Sequence, residues 1–131
     1  LSGGCEGAQL GCKLDVARFE ALLDIAGPEG CGELLSRLHE DLSTVRASLD
    51  AAIRDADLSE IRAQTHILIA ISGAVGAERL YRLAEVLNIA AKRRRMADLP
   101  ALYQPCRADL FDLIKHVEGA GARYGIRLGA G

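Results

Sequence analysis

Leu58-Ser-Glu-Ile61-Arg-Ala-Gln-Thr65-His66-Ile67-Leu68-Ile69-Ala70-Ile71-Ser72-Gly73-Ala74-Val75 is the stretch on which the fold turns. Leu58, Ile61, Thr65, Leu68, Ser72 and Val75 step by three and four residues. That is the period of one helix face; a half-buried strand repeats every second residue. The spacing predicts an amphipathic helix whose stripe is the seam of a helical bundle. Asp57 stands as the N-cap, and Glu60 three residues on predicts a capping box. Gly73-Ala74-Val75-Gly76 ends the helix.

The same period extends outward. Upstream, Leu34, Leu35, Leu38, Leu42, Val45, Leu49, Ala52 and Ile53 predict a long helix from about Cys31 to Ala56. Before it, apolar residues at Val16, Phe19, Leu22, Leu23 and Ala26 predict a short helix capped by Asp15 and ended by Gly27-Pro28-Glu29-Gly30. Downstream, a helix beginning near Ala77 buries Leu80, Leu83, Ala84, Leu87, Ala90 and Ala91 and closes on Lys92-Arg93-Arg94-Arg95. Asp98 caps a last helix, with Pro100 tolerated in its first turn. That helix buries Leu102, Cys106, Leu110, Leu113, Ile114 and Val117. Short loops make neighbouring helices antiparallel. The expected fold is therefore all-α: an antiparallel up-down-up-down four-helix bundle with a short extra N-terminal helix. It divides into a flexible N-terminus at 1–13, the bundle at 14–118 and a Gly-rich C-terminal tail at 119–131.

Composition agrees. The 131 residues suit one domain with a core that needs no disulfide or metal. Leu and Ala supply much of the apolar mass and there is no Trp, which favours helix over sheet. A net charge of −2 gives no hint of a nucleic-acid or membrane partner. No apolar run is long enough to cross a bilayer, and the start lacks a basic-then-apolar signal pattern. Cys5, Cys12, Cys31 and Cys106 show neither CxxC nor zinc-site spacing. Reduced thiols in a cytoplasmic, monomeric protein are expected, with a Cys5–Cys12 bridge as the minor alternative. No Gly-rich loop precedes a Lys-Ser/Thr pair, so a P-loop is excluded.

His66 is the residue with chemistry to offer. It lies one position off the seam residue Thr65, which puts it at the edge of the core stripe with one ring edge toward solvent. Its neighbours on that face are Arg62, Ala63, Ile69, Ala70 and Gly73. Three of the five are Ala or Gly, which leaves room for another protein. A helical His is ordinarily half-buried filler. Here the surrounding register resembles the signature of histidine phosphotransfer domains: a phosphorylatable His, then x-Leu-Lys-Gly, small residues, then Gly-Ala. His66, Leu68, Ser72, Gly73, Gly76 and Ala77 fall on matching positions. Leu14-Asp15, Leu34-Leu35 with Glu40-Asp41-Leu42, and Leu80, Leu83-Ala84 and Leu87 also fit the layout, over roughly residues 14–118.

The resemblance implies a phosphocarrier in a two-component phosphorelay. His66 would accept a phosphoryl group from a receiver Asp or a kinase and pass it to another receiver. It implies no ATP-binding or kinase activity and no cofactor on this chain, Mg²⁺ being held by the receiver. The partners implied are response-regulator receiver domains and a hybrid histidine kinase; the small and apolar neighbours of His66 predict that they dock on Arg62, Ala63, Ile69, Ala70 and Gly73. The chain departs from the family twice: the family's Lys is Ile69 and its first Gly is Ala70. The missing positive charge falls to Arg62, one turn before His66, or to a partner's basic side chain. The alternative expectation is a non-phosphorylated adaptor that docks receivers or kinases.

Overall fold

A computed structural model describes residues 14–128. The expectation for 1–13, with Cys5 and Cys12, lies outside the described residues, as do 129–131. The chain is all-helical: α1 (Val16–Asp55), α2 (Leu58–Val75), α3 (Glu78–Lys92), a 3-10 turn (Met96–Asp98) and α4 (Leu99–Arg123). Each helix packs on its chain neighbours, and α1 also packs on α4, which closes the ring.

The local chemistry explains each boundary. The Asp15 carboxylate caps α1 by accepting from the Arg18 N–H at 3.1 Å. Where the sequence predicts one helix ending and another starting, the helix is kinked at Gly27 (φ 78, ψ 168) and resumes at once with Pro28. Gly tolerates the positive φ, and Pro suits a restart because its missing N–H is not needed there. Asp57 caps α2 through the Glu60 N–H at 3.1 Å. The reciprocal half of the predicted capping box is absent. The Asp57 N–H is already bonded to Ala52 O at 2.9 Å, closing α1, while the Glu60 carboxylate accepts from Gln64 at 2.9 Å. A two-residue loop makes one N–H serve the outgoing helix, so none is left for the box.

Gly76 ends α2 at φ 84, where a Cβ would stand 3.0 Å from the Asp15 Cβ. Its carbonyl accepts the Asp15 N–H at 2.8 Å, and Leu14 bridges to Ala77, so the start of α1 is pinned to the α2–α3 turn. Asp98 does not cap α4 with its side chain, contrary to expectation; it closes the 3-10 turn, and its N–H is bonded to Arg95 O at 3.0 Å. The predicted tail at 119–131 also needs correction. α4 continues through Gly119 and Gly121 to Arg123. Helical Gly costs about 1 kcal/mol relative to Ala. At Gly121 a Cβ would meet Leu128 Cδ1 at 2.7 Å, so Gly there admits the returning chain.

The core is the predicted stripe. Leu35, Leu42, Leu49, Ile61, Leu68, Leu80, Leu87, Leu110 and Leu113 are fully buried, with Phe19 and Leu23 added from the segment before the kink. Leu34, Ile53, Leu58, Leu83 and Leu102 are only partly buried at its margin. Polar ties cross it. Arg79 grips the buried Asp109 with two bonds of 2.7 and 2.6 Å, joining α3 to α4. Asp50 on α1 accepts from Tyr103 at 2.6 Å and from Arg107 at 2.9 Å, both on α4. Cys31 and Cys106 are buried free thiols, and burial pushes the Cys106 thiol up to about 12. No helix of the described residues is long and apolar enough to cross a membrane.

Candidate functional site

α2 buries Thr65, Leu68 and Ser72 completely and leaves His66 exposed near its middle. The one-residue offset from the seam is the cause, since successive residues on a helix are about 100° apart. His66 lines a surface depression of about 500 Å³ together with Ser59, Arg62, Ala63, Asn88 and Lys92. Two cations and no carboxylate line it, so the imidazole faces a positive, anion-tolerant surface.

The expected docking residues divide. Arg62 and Ala63 share the depression of His66. Ile69, Ala70 and Gly73 line a second, larger one of about 860 Å³ with Tyr81, Arg82 and Glu85 of α3. Ala63 and Ala70 are exposed. Gly73 lies under Tyr81, where a Cβ would sit 3.6 Å from the ring. Ile69 is half-buried and packs against the core, and Ile67 is the more exposed isoleucine at 42%. The two depressions follow one another along the junction of α2 and α3.

Sequence reading did not place Lys92, Asn88 or Ser59 beside His66. Lys92 reads from the sequence as the start of a cationic helix end. Asn88 is buried, and its amide is spent on α2: it donates to Thr65 Oγ1 at 2.7 Å and to Arg62 O at 3.3 Å. Thr65 Oγ1 in turn donates to Ile61 O at 2.8 Å. Arg62 O is also the acceptor that helix geometry assigns to the His66 N–H. Asn88 thus clamps the turn that carries His66 to the turn of α3 that leads to Lys92. A polar residue one turn before the basic run, interrupting the apolar stripe between Leu87 and Ala91, is the signal that marks it in the sequence.

The other histidines are occupied elsewhere. His39, which reads as a solvated surface residue, is partly buried and bonded to Glu118 at 2.9 Å. His116 reads as a residue near the end of the last helix, where the helix dipole favours a cation, but α4 runs on to Arg123. Its ring meets Phe19 edge-on at 4.8 Å, and burial, helped by Arg123, pushes its pKa down. Among the described residues no three His, Cys, Asp or Glu side chains are grouped to hold a metal. No family model, curated protein or solved structure matches the chain.

Proposed function

We propose that the chain is a phosphocarrier of the histidine phosphotransfer type, acting through His66. The observation that carries the reading is an exposed imidazole in the middle of a rigid helix, inside a depression that offers Arg62 and Lys92 and no carboxylate. A neutral imidazole is a competent nucleophile near neutral pH. Its ring lone pair attacks the phosphorus of a receiver's acyl phosphate. The N–P bond forms as the P–O bond breaks, and the electron pair leaves with the receiver carboxylate. A second receiver's carboxylate then takes the group by the reverse displacement. The transition state is loose and spreads charge over the equatorial oxygens, so positioning and nearby cations do most of the work. Lys92 and Arg62 supply that charge on this chain in place of the Lys that Ile69 replaces; the receiver brings Mg²⁺.

The reading includes an antiparallel up-down bundle with the segment before Gly27 as an extra N-terminal helix, and a monomer meeting its receivers in the cytoplasm. Its support is the closed ring of helix contacts and the pairing of Gly73 with Tyr81 and of Thr65 with Asn88 on either side of the Gly76 turn. The half-buried Ile69 favours the second reading, a docking adaptor that is not phosphorylated.

One experiment separates the two. The chain and its His66→Gln variant are mixed with a panel of phosphorylated receivers, and acid-labile phosphate is followed. Transfer to the wild type and none to the variant is expected. Complexes without transfer support the adaptor, and transfer to the variant removes His66 from the mechanism.

A further inference from the structure

A different face carries a second site. Val86 and Ile89 on α3 and Met96 in the 3-10 turn are 47%, 46% and 46% exposed. Val86 and Ile89 line a groove of about 420 Å³ between the end of α3 and the start of α4, and Met96 sits between its lining residues Arg95 and Ala97. The far wall is made of small side chains, Ala97 and Ala101, which is why the surface is concave. Arg93 and Arg95 line the groove, and Arg94 lies between them in the chain, a run that the phosphocarrier reading leaves unused beyond Lys92. Among the described residues none of these three arginines makes an ion pair. Asp98 is the one carboxylate in the lining. Arg94 adopts φ 58, a conformation in which Gly fits without cost, yet a third cation occupies it.

We infer that this groove docks an acidic amphipathic helix of a partner protein, at a surface separate from His66. Val86, Ile89 and Arg93 lie at i, i+3 and i+7 of α3, so one face of that helix presents apolar contact and then charge. A helix laid in the groove would bury its own apolar stripe on Val86, Ile89 and Leu102 and set its carboxylates against Arg93 and Arg95; such helix-in-groove contacts are read by apolar anchors at helical spacing. Charge complementarity at the rim selects an acidic partner over a basic one. The lining has no aromatic side chain on which bases would stack, which disfavours single-stranded nucleic acid. A bilayer surface is met by apolar side chains that protrude from a polar helix face, whereas here they flank a hollow.

The probe is a capped amphipathic helical peptide with Leu on one face and Glu on the other, its counterpart carrying Lys for Glu. Binding to the full chain is read by fluorescence anisotropy and located by backbone amide shifts. The Glu peptide is expected to bind saturably and to shift Val86, Ile89, Ala97 and Ala101, while the Lys peptide does not bind. Ile89→Asp should weaken binding at least about tenfold, or about 1.4 kcal/mol, in a variant whose circular dichroism shows that the fold is retained. The double variant Arg93→Glu/Arg95→Glu should lose the Glu peptide and gain the Lys peptide. His66→Gln should bind like the wild type, which keeps this result independent of phosphotransfer. The inference is overturned if neither peptide binds, if the variants bind equally, or if the shifts fall on the His66 depression. It is also overturned if only phosphatidylserine vesicles or an oligonucleotide bind, or if Ile89 is covered by self-association.

Discussion

Replacing Asn88 by Ala tests whether the site is held together as the structure has it. The amide makes two hydrogen bonds to α2, at 2.7 Å to Thr65 Oγ1 and 3.3 Å to Arg62 O. A neutral hydrogen bond contributes about 0.5–1.5 kcal/mol net, so losing both removes about 1–3 kcal/mol. The buried Thr65 Oγ1 loses the donor it accepts from, though its own hydroxyl proton and the Arg62 carbonyl stay paired. Thr65 keeps its own bond to Ile61 O, and Arg62 O keeps the Thr65 hydroxyl at 3.2 Å. Ala is the better helix former by roughly 0.5 kcal/mol, which offsets part of the loss. The expected net destabilisation is therefore about 0.5–2.5 kcal/mol, toward the upper end because a buried acceptor loses its donor, seen in urea melts followed by circular dichroism. The functional effect should be larger. The clamp sets His66 opposite Lys92, and a misplacement of about 1 Å at a reacting centre costs up to about a hundredfold in rate. Phosphotransfer from a phosphorylated receiver should slow at least about tenfold while the variant stays folded. Loss of stability with an unchanged rate would reduce Asn88 to scaffolding. No change in either would mean that the two bonds do not exist.

Arg79→Met should cost about 3–5 kcal/mol by leaving the buried Asp109 carboxylate without its cation, and Arg79→Met/Asp109→Leu should recover most of it in a double-mutant cycle of thermal melts. Equal losses in the single and double variants would show that packing, not the ion pair, matters at this site. His116 titrates below its ordinary value of about 6.5 because it is partly buried, with Arg123 nearby. Its neutral form is favoured in the folded state, so its contribution to stability is present above that value and falls away as pH drops below it. His116→Phe should flatten the dependence of melting temperature on pH between about 7 and 5, and a profile identical to the wild type would refute the assignment.

Much of this was legible in the sequence because it depends on local rules. The three-four stripe at Leu58, Ile61, Thr65, Leu68, Ser72 and Val75 names the buried face, and the offset of one residue leaves His66 outside it. Asp15, Asp57 and Gly76 mark their helix ends because capping and positive φ need only neighbours in sequence. The failures are equally physical. Gly27-Pro28 reads as a break, and the backbone does leave helical geometry at Gly27, but Gly119 and Gly121 read as the end of a helix that runs on through them, because propensity knows nothing of packing. At Gly121 the returning Leu128 needs the space that a Cβ would fill. The capping box at Asp57 was lost because the preceding helix had already taken its N–H.

What the sequence determined on its own is the helical class, the buried stripe and the outward position of His66, each a consequence of helical periodicity and local capping. What only the tertiary structure decided is the company His66 keeps. Lys92 and Asn88 lie on another helix, and the register between α2 and α3 is set by side-chain contacts such as Gly73 under Tyr81 and Asn88 on Thr65. Those contacts bring together residues far apart in the chain, and no local pattern encodes the distance between them.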